Sequence, residues 1–390
     1  MFRACAQGRI AMHRPTWLEV DVDAVVHNLR TVRRLVGPAR KIFAVVKANG
    51  YGFGSLAMAE IFAAHGADAL GLADLGDAIR LRTRGITLPI LVYPNALPEM
   101  AREMIAHRLT PTLVDLDGAR VFSDAVPASS APYPVFVKVD VGLERLGVPA
   151  DQAAKTIQAI LELPRLRLEG VSAHLHAHGA RDYIAWQFAR FTTVLDALAA
   201  LGVDIPVRLA ASTPLVLDHP DTYLNAVDPG RLLYGVPEGT GEKFSVELRP
   251  AFGALKSRLI TVKDLTPREK FAAEAPFPIS PGMRLGVIPI GSSDGMLDLH
   301  AGRVLVRGRV APIPAGPSLE HTRVDLTGIP DAAIGDEVVI IGQQGDQRIT
   351  VDEVAAHHRR ASVNVATVIG PRISRVYLAD GAAPKVVTSE

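Results

Sequence analysis

From Val22 onward apolar residues recur with a helical period, and Val22, Val25, Leu29, Val32 and Val36 fall on one face. Asp21 supplies a cap before this stretch and Gly37-Pro38 a stop after it. Short apolar runs then alternate with longer amphipathic ones. The runs Phe43–Val46, Ala69–Leu72, Ile90–Tyr93, Thr110–Val114, Val135–Val139, Val171–His174 and Val207–Ala210 read as strands. Ser55–His65, Asp151–Leu163 and Asp182–Leu201 are among the Ala- and Leu-rich helices between them. A β-α unit repeated every ~25–40 residues is the sequence form of a parallel sheet. Seven or eight units favour a closed (β/α)8, TIM-like barrel over an open sheet. In such a barrel chemistry gathers where strands end and loops begin. Lys47, Arg145, His174 and Ser212 all fall at such ends.

After about Gly241 the helical periods vanish and β-rich segments follow with Pro and Gly between them, at Leu255–Val262, Arg303–Val310, Arg323–Leu326 and Glu337–Gly342. Gly335-Asp336 reads as the turn into the last of these. The expected fold is therefore α/β, an N-terminal barrel followed by a C-terminal all-β domain. The expected boundaries are an extension over 1–13, the cofactor-binding barrel over 14–244, the β domain over 245–382 and a mobile tail over 383–390.

Composition narrows the class without naming a function. With 390 residues, 48% hydrophobic and 21% charged, the chain has ample length for a real core. A net charge of +1 carries no broad footprint for nucleic acid. No apolar run is long enough for a membrane helix, and the first residues lack the apolar core of a signal peptide. Met12 is an alternative start. The single cysteine, Cys5, forms no internal disulfide and favours a reducing compartment. A cytoplasmic enzyme without nucleic-acid or membrane partners is expected.

Ala44-Val45-Val46-Lys47-Ala48-Asn49-Gly50-Tyr51-Gly52 holds the most informative chemistry. An apolar strand delivers Lys47 to its carboxyl end, where apolar neighbours lower its pKa and free the amine to form an imine. Ser212-Thr213-Pro214 places hydroxyls at a helix start after a strand, and Pro229-Gly230-Arg231 supplies a glycine where backbone can approach a phosphate closely. His174, His176 and His178 alternate along one run, so all three point to one side if it is extended. Pocket lining is one reading and a metal site another. No matching carboxylate or cysteine accompanies them, and no metal is expected.

These residues, with Asp140-Val141-Gly142-Leu143-Glu144-Arg145-Leu146-Gly147 and Pro229-Gly230-Arg231-Leu232-Leu233-Tyr234-Gly235, resemble the alanine racemase family of pyridoxal-phosphate enzymes, from about Arg14 to Leu378. The resemblance implies pyridoxal 5'-phosphate carried on Lys47, its phosphate held by Tyr51, Ser212, Gly230 and Arg231, and its phenolic oxygen contacted by Arg145. It implies that His174 stands at the ring side and that Lys138 matches a lysine often carbamylated to hold the arginine. It further implies a small amino-acid substrate and a homodimer with shared sites. Lys47, His174 and His176 are the candidate catalytic residues.

Four positions depart from the family pattern. The second domain's usual Gly-Tyr-Ala-Asp-Gly-Tyr reads Gly291-Ser292-Ser293-Asp294-Gly295-Met296, so Ser292 replaces the tyrosine that serves as second base. Asp228 stands where the family places an arginine opposite the pyridine nitrogen. Val363 takes the place of a phosphate-side tyrosine. Leu319-Glu320-His321, after an inserted Pro312–Ser318, replaces the usual Cys-Met-Asp-Gln. A racemase with its second base moved to His176, His178, His321 or Asp294 is one reading. A decarboxylase, aldolase or eliminating enzyme on the same scaffold is another, with Lys47 as the only base. A non-catalytic cofactor-binding protein is the third.

Overall fold

A computed structural model of the chain describes residues 13–176, 181–236, 246–265, 274–280 and 282–387. By contact the chain divides into residues 24–249 and a second unit made of residues 1–23 with 250–390.

The first of these units is a closed barrel. Eight strands, Lys41–Val45, Ala69–Leu72, Ile90–Val92, Thr110–Leu113, Tyr133–Asp140, Leu166–Ala173, Val207–Ala211 and Ala226–Val227, pair in parallel around a ring. The ring closes where Thr112 pairs with Phe136 and Leu113 with Val137. Ile42, Phe43, Ala44 and Val45 are all buried, as expected of strands covered on both faces. Phe43, Ala69, Leu91, Phe136, Leu209 and Ala226 fill the interior. Phe43 meets Phe136 edge-on at 5.9 Å, and Gly170 makes room, since a Cβ there would lie 2.5 Å from the Phe136 ring. The eighth strand has two residues, too few to carry a period in the sequence.

Helices cover the outside as their patterns predict. Val22–Val36 buries Val25, Leu29, Val32 and Val36. Ser55–Ala64, Ala150–Leu161 and Arg181–Ala200 match the expected helices within two residues at each end. Asp74 and Asp115 cap the helices Leu75–Thr83 and Leu116–Ala125 by accepting from the backbone N–H of Asp77 and Gly118.

The second unit holds a sheet running Arg309–Pro312, Arg303–Val306, Glu337–Gln344, Phe252–Arg258, Thr16–Asp21, Ser374–Leu378, Lys385–Val387, with Gln347–Ile349 paired to Glu337–Gln344. A smaller sheet joins Thr261–Asp264, Arg284–Ile288 and Thr322–Asp325. Thr16–Asp21, placed with the barrel by its position in the chain, is instead a central strand here. It lies antiparallel to Phe252–Arg258 and parallel to Ser374–Leu378. Its apolar Trp17, Leu18 and Val20, all buried beside half-buried Glu19 and Asp21, suit a strand but do not say which sheet receives it. Cross-strand partners decide that, through the Thr16–Ser257 hydroxyl pair at 2.8 Å and the Lys256–Glu19 ion pair at 3.0 Å.

Other differences are local. The expected strand Arg303–Val310 folds into a hairpin at Arg307 and Gly308, both at positive φ. Two short helices, Val351–His357 and Ser362–Thr367, interrupt the β structure. The expected tail contributes Lys385–Val387 as an edge strand. Of the expected N-terminal extension, only His13 lies within the described residues. Among the described residues no helix is long and apolar enough to cross a membrane.

Candidate active site

Lys47 follows the buried Val46 at the carboxyl end of Lys41–Val45 and opens a tight turn. Ala48, Asn49, Gly50 and Tyr51 all have φ between 53° and 59°. Left-handed backbone costs a non-glycine residue ~1–2 kcal/mol, so a run of it persists only when its surroundings enforce it. Here Gly50 N–H donates to Val46 O at 2.9 Å, Gly52 N–H to Ala48 O at 3.0 Å and Gly54 N–H to Asn49 O at 2.8 Å. The Asn49 side chain also accepts from Ser55 N–H at 3.0 Å. The turn seats Tyr51 on the ring of Tyr234 at 5.0 Å, and the Tyr234 hydroxyl donates to Val45 O at 3.0 Å. Lys47 is thus aimed by a locked turn.

Around it the barrel gathers charge. Lys47 is open to the mouth in the single chain, yet the protein around its amine lowers its pKa by dehydration, aided by Arg145 and Arg231 and opposed by Asp228. Lys138, on Tyr133–Asp140, is pushed down to about 8 by dehydration, with Arg145 and Lys47 adding to the effect and Asp228 opposing it. Asp228 is pushed up to about 6 by dehydration, against the pull of Lys138, the Tyr93 hydrogen bond and Lys47. Burial raises the Tyr51 phenol well above its usual value.

The structure brings most of the sequence candidates together. Lys47, Tyr51, Arg145, His174, Asp228 and Arg231 act on one another electrostatically. Gly230 sits against Tyr51, where an added Cβ would lie 2.2 Å from the hydroxyl oxygen. Ser212 is the N-cap residue of Thr213–Asp218, with no capping bond from its side chain. The neighbouring Thr213 hydroxyl accepts from Gly230 N–H at 3.0 Å and Leu232 N–H at 3.3 Å, tying the two loops together.

The histidine run is not the strand expected of it. The strand ends at Ala173, the last residue paired with its neighbour. His174 and His176 lie in the loop beyond, where His176 N–H donates to the Gln187 side chain at 2.9 Å. His176 is exposed and its ring meets Tyr183 edge-on at 6.4 Å. His178 lies outside the described residues. Among the described residues no group of three or more His, Cys, Asp or Glu is placed to hold a metal. Burial, Lys138, Lys47 and Arg145 lower His174 to about 3. His174 is therefore expected to stay neutral from pH 5 to 8. A proton-carbon correlation titration, with His174→Gln to assign the signal, should show its ring resonance unmoved across that range.

Three residues have contacts in the structure that the sequence did not assign them. Asp140 accepts from the N–H of Gly142, Leu143, Glu144 and Arg145 at 2.9–3.1 Å, and so shapes the loop that carries Arg145. Tyr93 donates to Asp228 Oδ2 at 3.1 Å. Thr213 ties its own turn to the Gly230 loop as described. Tyr93 stood in the sequence only as a strand end, the position rule that marks barrel chemistry.

Three of the four positions expected to depart from the family pattern, Ser292, Val363 and Leu319–His321, lie in the second unit. Ser292 begins the short turn Ser292–Asp294, and its N–H donates to Ser318 O at 2.8 Å. Asp294, one candidate for a displaced second base, has no exposed side-chain surface. Arg14 reaches its two oxygens at 2.7 and 2.8 Å, Arg372 adds a bond of 2.8 Å and Gly291 N–H one of 2.9 Å. So held, its carboxyl stays below the usual range and serves as an anchor for the turn.

Comparison with known proteins agrees with this geometry. Residues 20–238 match the family described as alanine racemase, N-terminal domain, and residues 253–377 the alanine racemase, C-terminal domain. An alanine racemase of Desulfosudis oleivorans is 36% identical over 375 residues, 93% of this chain and 96% of its own. One from Methanococcus maripaludis is 32% identical over 369 residues, 93% of this chain and 99% of its own. Among solved structures, the Bacillus anthracis alanine racemase with bound L-Ala-P has a TM-score of 0.86 at 26% identity, covering 97% of this chain and 99% of that one. A histidine racemase from Leuconostoc mesenteroides subsp. sake has a TM-score of 0.83 at 26% identity, covering 95% and 100%. Both units are matched nearly end to end, and the chain belongs to the alanine racemase family.

Proposed function

We propose that the chain is a pyridoxal 5'-phosphate-dependent amino-acid racemase whose second base differs from the family's tyrosine. The observation that carries it is Lys47 on its locked turn, its amine's pKa lowered, inside a cluster of cations. The residues fit an anionic cofactor. Lys47, Lys138, Arg145 and Arg231 outnumber the two carboxylates that act on this cluster, Asp228 and Asp140, leaving positive charge for a phosphate to neutralise. Gly230 lets the Tyr51 hydroxyl lie close against the backbone, where any side chain would collide with it.

Lys47 would hold the cofactor through its amine, with Tyr51, Ser212, Gly230 and Arg231 around the phosphate, Arg145 at the phenolic oxygen and His174 at the ring side. When bound, pyridoxal phosphate supplies an electron sink for the charge left on a substrate α-carbon. Lys47 Nζ takes and returns the α-proton on one face. A weakly basic amine suits that task at neutral pH, because proton transfer is fastest near matched pKa values. A serine such as Ser292 is too weak a base and too short to serve as the second base that tyrosine supplies. His176, exposed at the mouth, is the candidate for that role within the barrel.

Asp228 favours a second reading. A carboxylate ~4 Å from a cation contributes up to ~4 kcal/mol at an effective dielectric near 20. It would keep the cofactor nitrogen protonated, the arrangement suited to decarboxylation, aldol cleavage or elimination. A panel of amino acids in deuterated water, read by chiral chromatography, separates the two. Racemisation with solvent deuterium at the α-carbon is expected; release of carbon dioxide, ammonia or an aldehyde would support the lyase. In the same panel Ser292→Tyr should raise alanine racemisation severalfold if the missing phenol limits it. The family resemblance supports a homodimer that shares its sites, and the lone cysteine supports a cytoplasmic location.

A further inference from the structure

Resting on the reading above, we propose that Tyr93 is a positioning residue for Asp228. Its phenol ties down one carboxylate oxygen, keeping the group ionised and fixed as an acceptor for a protonated cofactor nitrogen. Tyr93 follows Ile90–Val92 and Asp228 follows Ala226–Val227. Two strands, Lys41–Val45 and Ala69–Leu72, stand between these in the ring. The 3.1 Å bond from Tyr93 Oη to Asp228 Oδ2 therefore reaches past two intervening strands.

The barrel has made room for it. Gly71, in the middle of Ala69–Leu72, is the one residue type that permits this placement, because a Cβ there would lie 2.5 Å from Tyr93 Oη and 2.9 Å from Cζ. A strand interior gains nothing from glycine otherwise. The rest of the Tyr93 ring packs on the interior cluster of Phe43, Ala69, Leu91 and Phe136. The hydroxyl is thus held from one side by the core and from the other by the carboxylate.

Four side chains act on Asp228, namely Lys138 from Tyr133–Asp140, Lys47 and Tyr51 from the turn after Lys41–Val45, and Tyr93 itself; its own backbone N–H adds a hydrogen bond. At about 6 the carboxyl stands close to titration. A hydrogen bond donated to the charged form favours ionisation, so the phenol keeps the group a carboxylate at neutral pH.

The test is the carboxyl titration of Asp228 in full-length protein labelled with carbonyl-13C aspartate, as purified and after removal of the cofactor. Asp228→Asn assigns the signal. Tyr93→Phe should move the cofactor-free midpoint up by about one pH unit, a tenfold change in the acid constant. A fluorinated tyrosine at position 93, isosteric and a stronger donor, should move it down, and this arm carries the test if Tyr93→Phe folds poorly. A midpoint unmoved by the fluorinated residue overturns the proposal. Covalent cofactor uptake is read separately by absorbance and borohydride trapping. Failure of wild-type protein to take up cofactor would overturn the proposed function and leave the Tyr93–Asp228 titration standing. Uptake with an unmoved titration would overturn the role of Tyr93 alone.

Discussion

Lys47→Ala should lower turnover by ~10²–10⁴-fold through loss of the proton-transferring amine alone, and further through loss of covalent cofactor attachment. Chiral chromatography measures the first loss, and borohydride reduction followed by peptide mapping the second. Lys138 is the internal control. It belongs to the same cluster, and its own pKa is lowered to about 8, so a reduced cofactor found on its peptide would overturn the assignment. The distinction between the two lysines is geometric. Lys47 leaves the strand on a left-handed turn fixed by backbone bonds to Val46, Ala48 and Asn49. Lys138 remains within Tyr133–Asp140, two residues before the aspartate that shapes the Arg145 loop.

Asp294→Ala is expected to destabilise the second unit by ~3–5 kcal/mol, the usual cost of leaving buried charge without its partner. Arg14 is mostly covered and would lose both of its bonds to this carboxylate. Glu320→Ala is the control. Its side chain is 49% exposed, so solvent screens its ion pairs with Arg14 and Arg372 and they add little to stability. Urea unfolding of the two variants measures the difference; equal effects would refute the anchoring role. The pH dependence follows from the same group. The Asp294 carboxyl is held below its usual value by hydrogen bonds from Arg14 and Gly291, against its own dehydration. The unfolded chain therefore binds the proton first, and the contribution of Asp294 is fully present above the ordinary carboxylate pKa of ~4. It is lost as pH falls through the lower folded value. Asp294→Ala should flatten stability in that acid window.

Much of the fold was legible because local chemistry repeats. Seven of the eight barrel strands announced themselves as apolar runs, and the helix Val22–Val36 kept its apolar stripe. Ala226–Val227 did not, since two residues hold no period. Thr16–Asp21, expected within the 14–244 barrel, belongs instead to the second unit's sheet, because a burial pattern does not name the partner strand.

The candidate site divides along the same line. The sequence by itself determined that Lys47 ends an apolar strand before a glycine-rich turn, and that Gly230 is a glycine between Pro229 and Arg231. Those are statements about residue types in local order. Only the tertiary structure decided that Tyr93 reaches past two strands to Asp228, that Gly71 yields the space, and that His174 stays neutral among Lys47, Lys138 and Arg145. It also decided that Asp294 is an anchor, by enclosing its carboxylate between Arg14 and Arg372. Each depends on groups tens to hundreds of residues apart in the chain, and the electrostatic field at a side chain is set by what surrounds it in space.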